Sequence, residues 1–312
     1  MTSSPSTVPE IRKSFHREPT FNSTHFQKNV NPFTLTPDMK PPLVIDKSYA
    51  NRNSGNLSRL ANDYTLVVPT AFYYEVFDTS PDNRARELKD FPPFRRIHIA
   101  TLLKQESETG KPVDFINFGT RGEMRFNPEI ASPTWQPTCE VADASNQHNL
   151  KNIKPQLEFL KSIVYEKCKK YVPGFSEDEL AGIGASEKEF IELCMKLREP
   201  HRIQRFAEEI DWVHASKINP HWLYYRYFQT LLMQGLILLR RYPNSGDIFG
   251  RERTEHDVQD LEYLTLGLHA NGLATADVSD KLPKASMGWR FRILEPHGKL
   301  IVPAARQGFR LP

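Results

Sequence analysis

The chain has 312 residues, 39% of them hydrophobic, and sets 41 basic side chains against 38 acidic ones, so it can bury a sizeable core while carrying a net charge of only +3. So small a charge gives no support to broad electrostatic binding of duplex DNA, although a local basic groove stays open to nucleic acid. Three scattered cysteines, Cys139, Cys168 and Cys194, exclude a disulfide framework or a CxxC metal knuckle and point to reduced thiols in a cytoplasmic protein.

Residues 1–40 are rich in Ser, Thr, Pro and Asn, show no sustained period and lack the pattern of a secretory signal; they read as a flexible N-terminal tail, with the fold spanning 41–312. "LVIDKSYA" is expected to be a strand running into a turn or helix, and "YTLVVPTAFYYEVF" a second strand, ended by Pro69, that runs into a helix. Together they make a βαβα beginning. Residues about 85–104 permit helix, "VDFINFGT" reads as a strand, and about 121–147 as irregular. Helices are expected over about 150–171, 186–216 and 220–242, with Pro200 breaking or kinking the second. The apolar stretch "HWLYYRYFQTLLMQGLILLRRY" contains Arg226, and its uncharged remainder is too short to cross a bilayer, which makes it a core helix. "YPNSGDIFGRER" is a loop by its Pro, Asn and Gly content. "EHDVQDLEYLTLGLHANGLATADVSDK" is a helix that stops near Asn271–Gly272 and gives way to a short strand, and "WRFRILEP" is the expected last strand.

Four acids share one kind of position. Asp46 follows the apolar run "LVI", Glu75 lies in the helix after "LVVP", Asp260 lies near the start of the helix "DLEYLTLGL", and Asp277 follows the strand "LAT". If the sheet is parallel, strand ends and helix starts lie along its carboxyl edge, where ligands bind in open α/β folds. A converging acid cluster repels itself unless protons or cations hold it, and hard oxygen ligands without His or Cys favour Mg²⁺ or Mn²⁺.

In "VIDKS", "VVPTAFYYEV", "DVQDLEYL" and "LATADVSDK" the chain resembles the PIN and PIN-like nucleases. The resemblance covers about 41–80 and 254–294, and the long interval between them implies a large helical insertion, about 105–250. It implies a parallel α/β sheet and a metal-dependent endoribonuclease that hydrolyses RNA phosphodiester bonds, with RNA as substrate. Asp46 and Asp277 would bind the ion, Glu75 and Asp260 would complete its shell, and Ser48 and Thr275 would position a water or the scissile phosphate. The ion would acidify the attacking water and neutralise charge on the phosphate oxygens. Asp257 and Asp280 are further candidate ligands. Asp257 competes with Asp260, but an N-cap role for Asp257 and a solvated turn for Asp280 are the plain structural readings. Two other functions stay open: a metal-dependent DNA or flap nuclease, and a non-catalytic PIN-like scaffold that binds RNA or protein. A protein inhibitor or partner is open, no membrane partner is expected, and the oligomeric state is not legible.

The remaining charged and aromatic features read more simply. Arg95, Arg96, Lys167, Lys169, Lys170, Arg240, Arg241, Arg251 and Arg253 are taken as solvated charges unless they share the acid edge, and "WLYYRYF" as core. His98, His214, His221 and His256 show no HExxH or paired ligand spacing. No phosphate-cradling GxxxxGK[ST] or GxGxxG is placed between strand and helix, and "VIDKS" lacks the second Asp of a haloacid-dehalogenase-type phosphatase.

Overall fold

A run of apolar side chains with no polar alternation marks a strand covered on both faces, and the first such run, β1 (Pro42–Ile45), is the centre of the sheet: Leu43, Val44 and Ile45 are fully buried. The structure is a computed structural model that describes residues 40–114, 123–136, 172, 174–184, 186–242, 252–279 and 286–303, with backbone only for 252–258. The expected tail and the expected helix over about 150–171 lie outside these residues.

From β1 the chain passes through α1 (Lys47–Asp63), β2 (Thr65–Pro69), α2 (Thr70–Phe77) and α3 (Pro81–Leu88) to β3 (Arg95–Ile97). After α4 (Ile99–Thr109) the described helices are α5 (Glu177–Ala181), α6 (Glu187–Met195), α7 (Pro200–Glu209), α8 (Leu223–Arg241) and α9 (Glu252–Ala270). Then come β4 (Gly272–Ala274), α10 (Met287–Leu294) and β5 (Lys299–Ile301). The strands form one five-stranded sheet in the order β3-β2-β1-β4-β5, parallel at every pairing, so the molecule is α/β. Leu43 stands opposite Leu66 on one side, and Val44 opposite Leu273 on the other.

The order carries a functional consequence. The chain winds outward from β1 to β2 and β3, then returns to begin again at β4 on the other side of β1. The reversal leaves a topological switch point between the carboxyl ends of β1 and β4, the crevice where open α/β sheets bind ligands. Helix α9 packs on β1, β2 and β4, and α8 packs against α9. Nearly every side of α8 is buried, including Trp222 just before it and Tyr225 and Phe228 within it, as its composition led one to expect. Among the described residues no helix is long and apolar enough to cross a membrane.

Several boundaries depart from the sequence reading. "WRFRILEP" is helix α10, and the last strand is β5. Its alternation of Trp289, Phe291 and Ile293 with arginines imitates a strand because Arg290, which looks like an outward position, is 1% exposed and held by partners inside the fold. Ser286 starts this helix by accepting the Trp289 N–H at 3.2 Å. The edge strand β3 was not foreseen; its three residues are two half-buried arginines and Ile97, too short and too polar to give a pattern. Of "VDFINFGT", Val113 and Asp114 are in no strand and the rest lies outside the described residues. The helical stretch 186–216 divides into α6 and α7, with Pro200 at the first position of α7, where its missing N–H costs nothing.

Candidate functional site

Asp46 ends β1 and starts α1 at once. Its N–H continues the ladder by donating to the Ala274 carbonyl of β4 at 3.0 Å, and its side chain caps α1 by accepting the Ser48 N–H on Oδ1 at 3.2 Å. The second oxygen, Oδ2, accepts from both the Ser48 hydroxyl and the Thr275 hydroxyl, the latter at 2.6 Å. Ser48 Oγ accepts in turn from the Ala276 N–H at 3.0 Å, and Thr275 Oγ1 from the Asp277 N–H at 2.9 Å. The two motifs "VIDKS" and "TAD" are therefore one hydrogen-bonded unit across the β1–β4 junction. Ser48 and Thr275 were expected to face water or phosphate; in this structure they orient Asp46.

Asp277 is exposed and rests on the start of α10: its Oδ2 accepts the Met287 N–H at 2.8 Å and its carbonyl accepts the Gly288 N–H at 3.0 Å. That approach requires glycine, since a Cβ on residue 288 would stand 2.7 Å from Val278 Cγ1 and 3.1 Å from the Asp277 carbonyl oxygen.

Glu75, on α2, receives the Tyr263 hydroxyl on Oε2. Burial, then the charge of Asp46, push its pKa up to about 8, with Asp260 adding in the same direction and Tyr263 and Lys47 opposing. Burial also raises Asp46, against the hydrogen bonds from Ser48 and Thr275, and Asp277 adds a smaller push. Electrostatic coupling thus runs from Asp277 to Asp46, from Asp46 to Glu75 and from Glu75 to Asp260. All four predicted acids act on a neighbour in this chain.

Asp260 differs from expectation in two ways. It lies in the middle of α9 rather than near its start, and it pairs with the Arg290 guanidinium at 2.7 Å, while Arg290 Nη1 also donates to Gln234 Oε1 at 3.0 Å. Its charge is answered by a protein cation. Asp257 lies inside α9, which begins at Glu252, so it is not the N-cap; its side chain, and all of Asp280, lie outside the described residues.

Three contributors escaped the sequence reading. Lys47 Nζ donates to the Glu75 carbonyl at 2.8 Å and to the Thr79 hydroxyl, tying α1 to the end of α2. Tyr263 is fully buried beneath Glu75. Glu262 joins two helices: its carboxylate accepts the Thr70 and Ala71 N–H groups at 3.1 and 3.0 Å and also bonds the Ile99 backbone, yet burial still lifts its pKa to about 7. Only the position of Lys47 beside Asp46 could have flagged one of them. Of the candidate basic residues, Arg240 serves the fold through the Ile183 carbonyl and the Phe190 ring, and Arg96 stacks on Tyr73 at 4.2 Å. Lys167, Lys169, Lys170 and Arg251 lie outside the described residues, as does the side chain of Arg253. His98 bonds Thr70 Oγ1 at 2.8 Å and His214 bonds the Ser107 carbonyl at 2.7 Å.

Among the described residues, no group of three or more His, Cys, Asp or Glu side chains is gathered into a metal cage. What the edge offers is oxygen ligands: the Asp46 carboxylate, which the Thr275 hydroxyl joins to the backbone N–H of Asp277, and the exposed Asp277 carboxylate held at the start of α10. That donor set fits Mg²⁺ or Mn²⁺, which keep several waters and need few protein ligands. Comparison of the chain with family models, with curated proteins and with solved structures gave no match.

Proposed function

We propose that the protein is a PIN-like, Mg²⁺- or Mn²⁺-dependent endoribonuclease acting at the carboxyl edge of its sheet. One observation carries the reading: Asp46 directly follows β1, Asp277 stands three residues beyond β4, and Thr275 joins the Asp46 carboxylate to the Asp277 N–H across the topological switch point. Bound there, a divalent ion supplies charge neutralisation at a phosphate and activation of water. Asp46 and Asp277 are the residues that would hold it, with Glu75 and Asp260 on the rim.

The chain's own groups supply the rest. Ser48 and Thr275 fix the Asp46 carboxylate, so that it need not reorganise during the reaction. Glu75, raised to about 8 by burial and by the charge of Asp46, is an acid beside Asp46 that can give or take a proton, with Oε2 held by Tyr263. Arg290 orients Asp260 through their ion pair at 2.7 Å.

The non-catalytic scaffold remains the second reading, because Asp46, Asp260 and Asp277 all have structural partners: a helix cap, an arginine and a helix start. Incubating the wild-type protein with end-labelled single-stranded RNA, single-stranded DNA and a DNA flap, in Mg²⁺, Mn²⁺ or EDTA, decides between them. Internal cuts in RNA that require the metal are expected. Metal-dependent cutting of DNA alone would transfer the reading to a DNA nuclease, and intact substrates under every metal would leave the scaffold.

A further inference from the structure

Away from the acid edge, the end of α3 and the segment 123–136 enclose a groove of about 610 Å³. Leu88, Phe91 and Phe126 form its apolar floor, and Arg86, Lys89 and Arg125 stand exposed on its rim. Lys89 and Arg125 have no ion pair among the described residues, and Arg86 donates only to the neutral amides of Asn51 and Asn83, both at 2.9 Å. Asp90 is the single acid among the described lining residues, so three cations there stand with one anion on a protein whose total charge is only +3.

The groove is built before any ligand arrives. Phe126 packs against Phe91 and Phe94 with ring centroids 5.1 and 4.6 Å apart, and Phe94 and Met124 exchange backbone hydrogen bonds at 2.9 and 2.7 Å. The outer wall is fastened by Arg84, which is 1% exposed: Nε donates to the Ile130 carbonyl at 3.1 Å, Nη2 to the Trp135 carbonyl, and the guanidinium lies 4.7 Å from the Trp135 ring. A buried arginine spent on two loop carbonyls holds that wall against α3. Through Asn51, the rim is also joined to α1 only about one and a half turns beyond Asp46.

We propose that this groove binds single-stranded RNA, taking a base against the Phe126 side of the floor and the adjoining phosphates on Arg86, Lys89 and Arg125. A cationic rim over an aromatic floor is what a single strand requires, because every base has a stackable face and every linkage a charge. The choice of RNA rests on the nuclease reading. The groove would hold the part of the strand that flanks the segment lying on the acid edge.

Binding is measured by fluorescence anisotropy of a fluorescein-labelled single-stranded RNA of mixed sequence, on the full chain in EDTA, so that the result does not depend on cleavage. The R86Q/K89Q/R125Q variant is compared with R59Q/K104Q/K217Q, which removes the same charge from exposed positions elsewhere. The K89Q/R125Q variant serves should the first fail to melt like wild type. The groove variants are expected to bind at least about tenfold more weakly, with a slope of log affinity against log salt that is shallower by about 2 for three lost cations, while the control changes less than about threefold. Equal weakening in groove and control variants, or displacement of the RNA by poly-glutamate as readily as by unlabelled RNA, would overturn the proposal. RNA bound in the groove but never cut in Mg²⁺ or Mn²⁺ would uphold the groove and sink the nuclease.

Discussion

The Thr275 hydroxyl donates to Asp46 Oδ2 across 2.6 Å, joining the ends of two parallel strands that are 229 positions apart in the chain. Asp46 is 3% exposed and Thr275 is fully buried, so no water can take over a bond lost here.

Thr275→Val keeps the shape and removes that donor, together with the acceptor for the Asp277 N–H. Unfolding in urea should show a loss of about 1–3 kcal/mol, the cost of leaving buried polar groups unpaired. Any cleavage should weaken as well, because both acids lose their common support. Full stability in the variant would mean that the bond contributes little to the junction.

Gly288→Val tests the approach of α10 to the acid edge. With Val278 Cγ1 only 2.7 Å from the new Cβ and the Asp277 carbonyl at 3.1 Å, the helix start has to move outward. A stability loss of about 1–3 kcal/mol is expected by overpacking, with cleavage falling more than RNA binding. Unchanged activity would show that Asp277 need not be held against α10.

The Asp260–Arg290 pair joins a buried arginine to a half-buried aspartate and is expected to be costly to break on one side and cheaper to remove whole. Arg290→Met should destabilise by about 1–3 kcal/mol, and Asp260→Asn added to it should recover part of the loss. Denaturant midpoints of the two single variants and the double variant measure this. Strict additivity would refute the coupling.

Glu75 gives a pH signature in the metal-free protein. Its folded pKa of about 8 lies above the ordinary 4.5, so the folded state keeps a proton that the unfolded state releases. Its contribution is whole below about pH 4.5, declines as pH rises towards 8 and is level beyond. In EDTA, Glu75→Gln should flatten the fall in stability between pH 5 and about 8 relative to wild type, leaving the part of the same sign that comes from Glu262 and from the other raised carboxyls, Asp46, Glu87 and Glu106. Identical slopes would place the Glu75 proton elsewhere.

The parts legible in the sequence were those fixed by local pattern. β1 and β2 are uninterrupted apolar runs, Pro69 ends a strand, and α9 stops where Asn271 takes a φ of +56° before Gly272. The parallel sheet followed from alternating strands and helices, and with it the edge that Asp46 and Asp277 share. What stayed hidden depends on partners distant in sequence. Arg290 reads as a surface charge until Asp260 and Gln234 meet it, Glu262 reads as a solvated helix acid until α2 and α4 place three backbone donors against it, and β3 exists only because β2 offers a partner for three residues. The groove beside α3 was invisible for the same reason, since Phe126 joins Phe91 only through the fold.

The central claim, that this edge holds a divalent ion through Asp46, is tested most directly by melting wild type and Asp46→Asn in EDTA and then across a Mn²⁺ titration. Asparagine can still cap α1 through Oδ1 but removes a charge, a ligand and the acceptor of the Ser48 and Thr275 hydroxyls; without metal the relief of a buried charge, which burial and Asp277 oppose, offsets part of those lost bonds, and the melting temperature of each protein in EDTA is its own baseline. The melting temperature of wild type should then climb with Mn²⁺ in the saturable manner of a ligand that binds only the folded state, and that of Asp46→Asn should stay level. Equal gains in the two proteins, or no gain in wild type, would contradict the account and leave Asp46 as the cap of a helix.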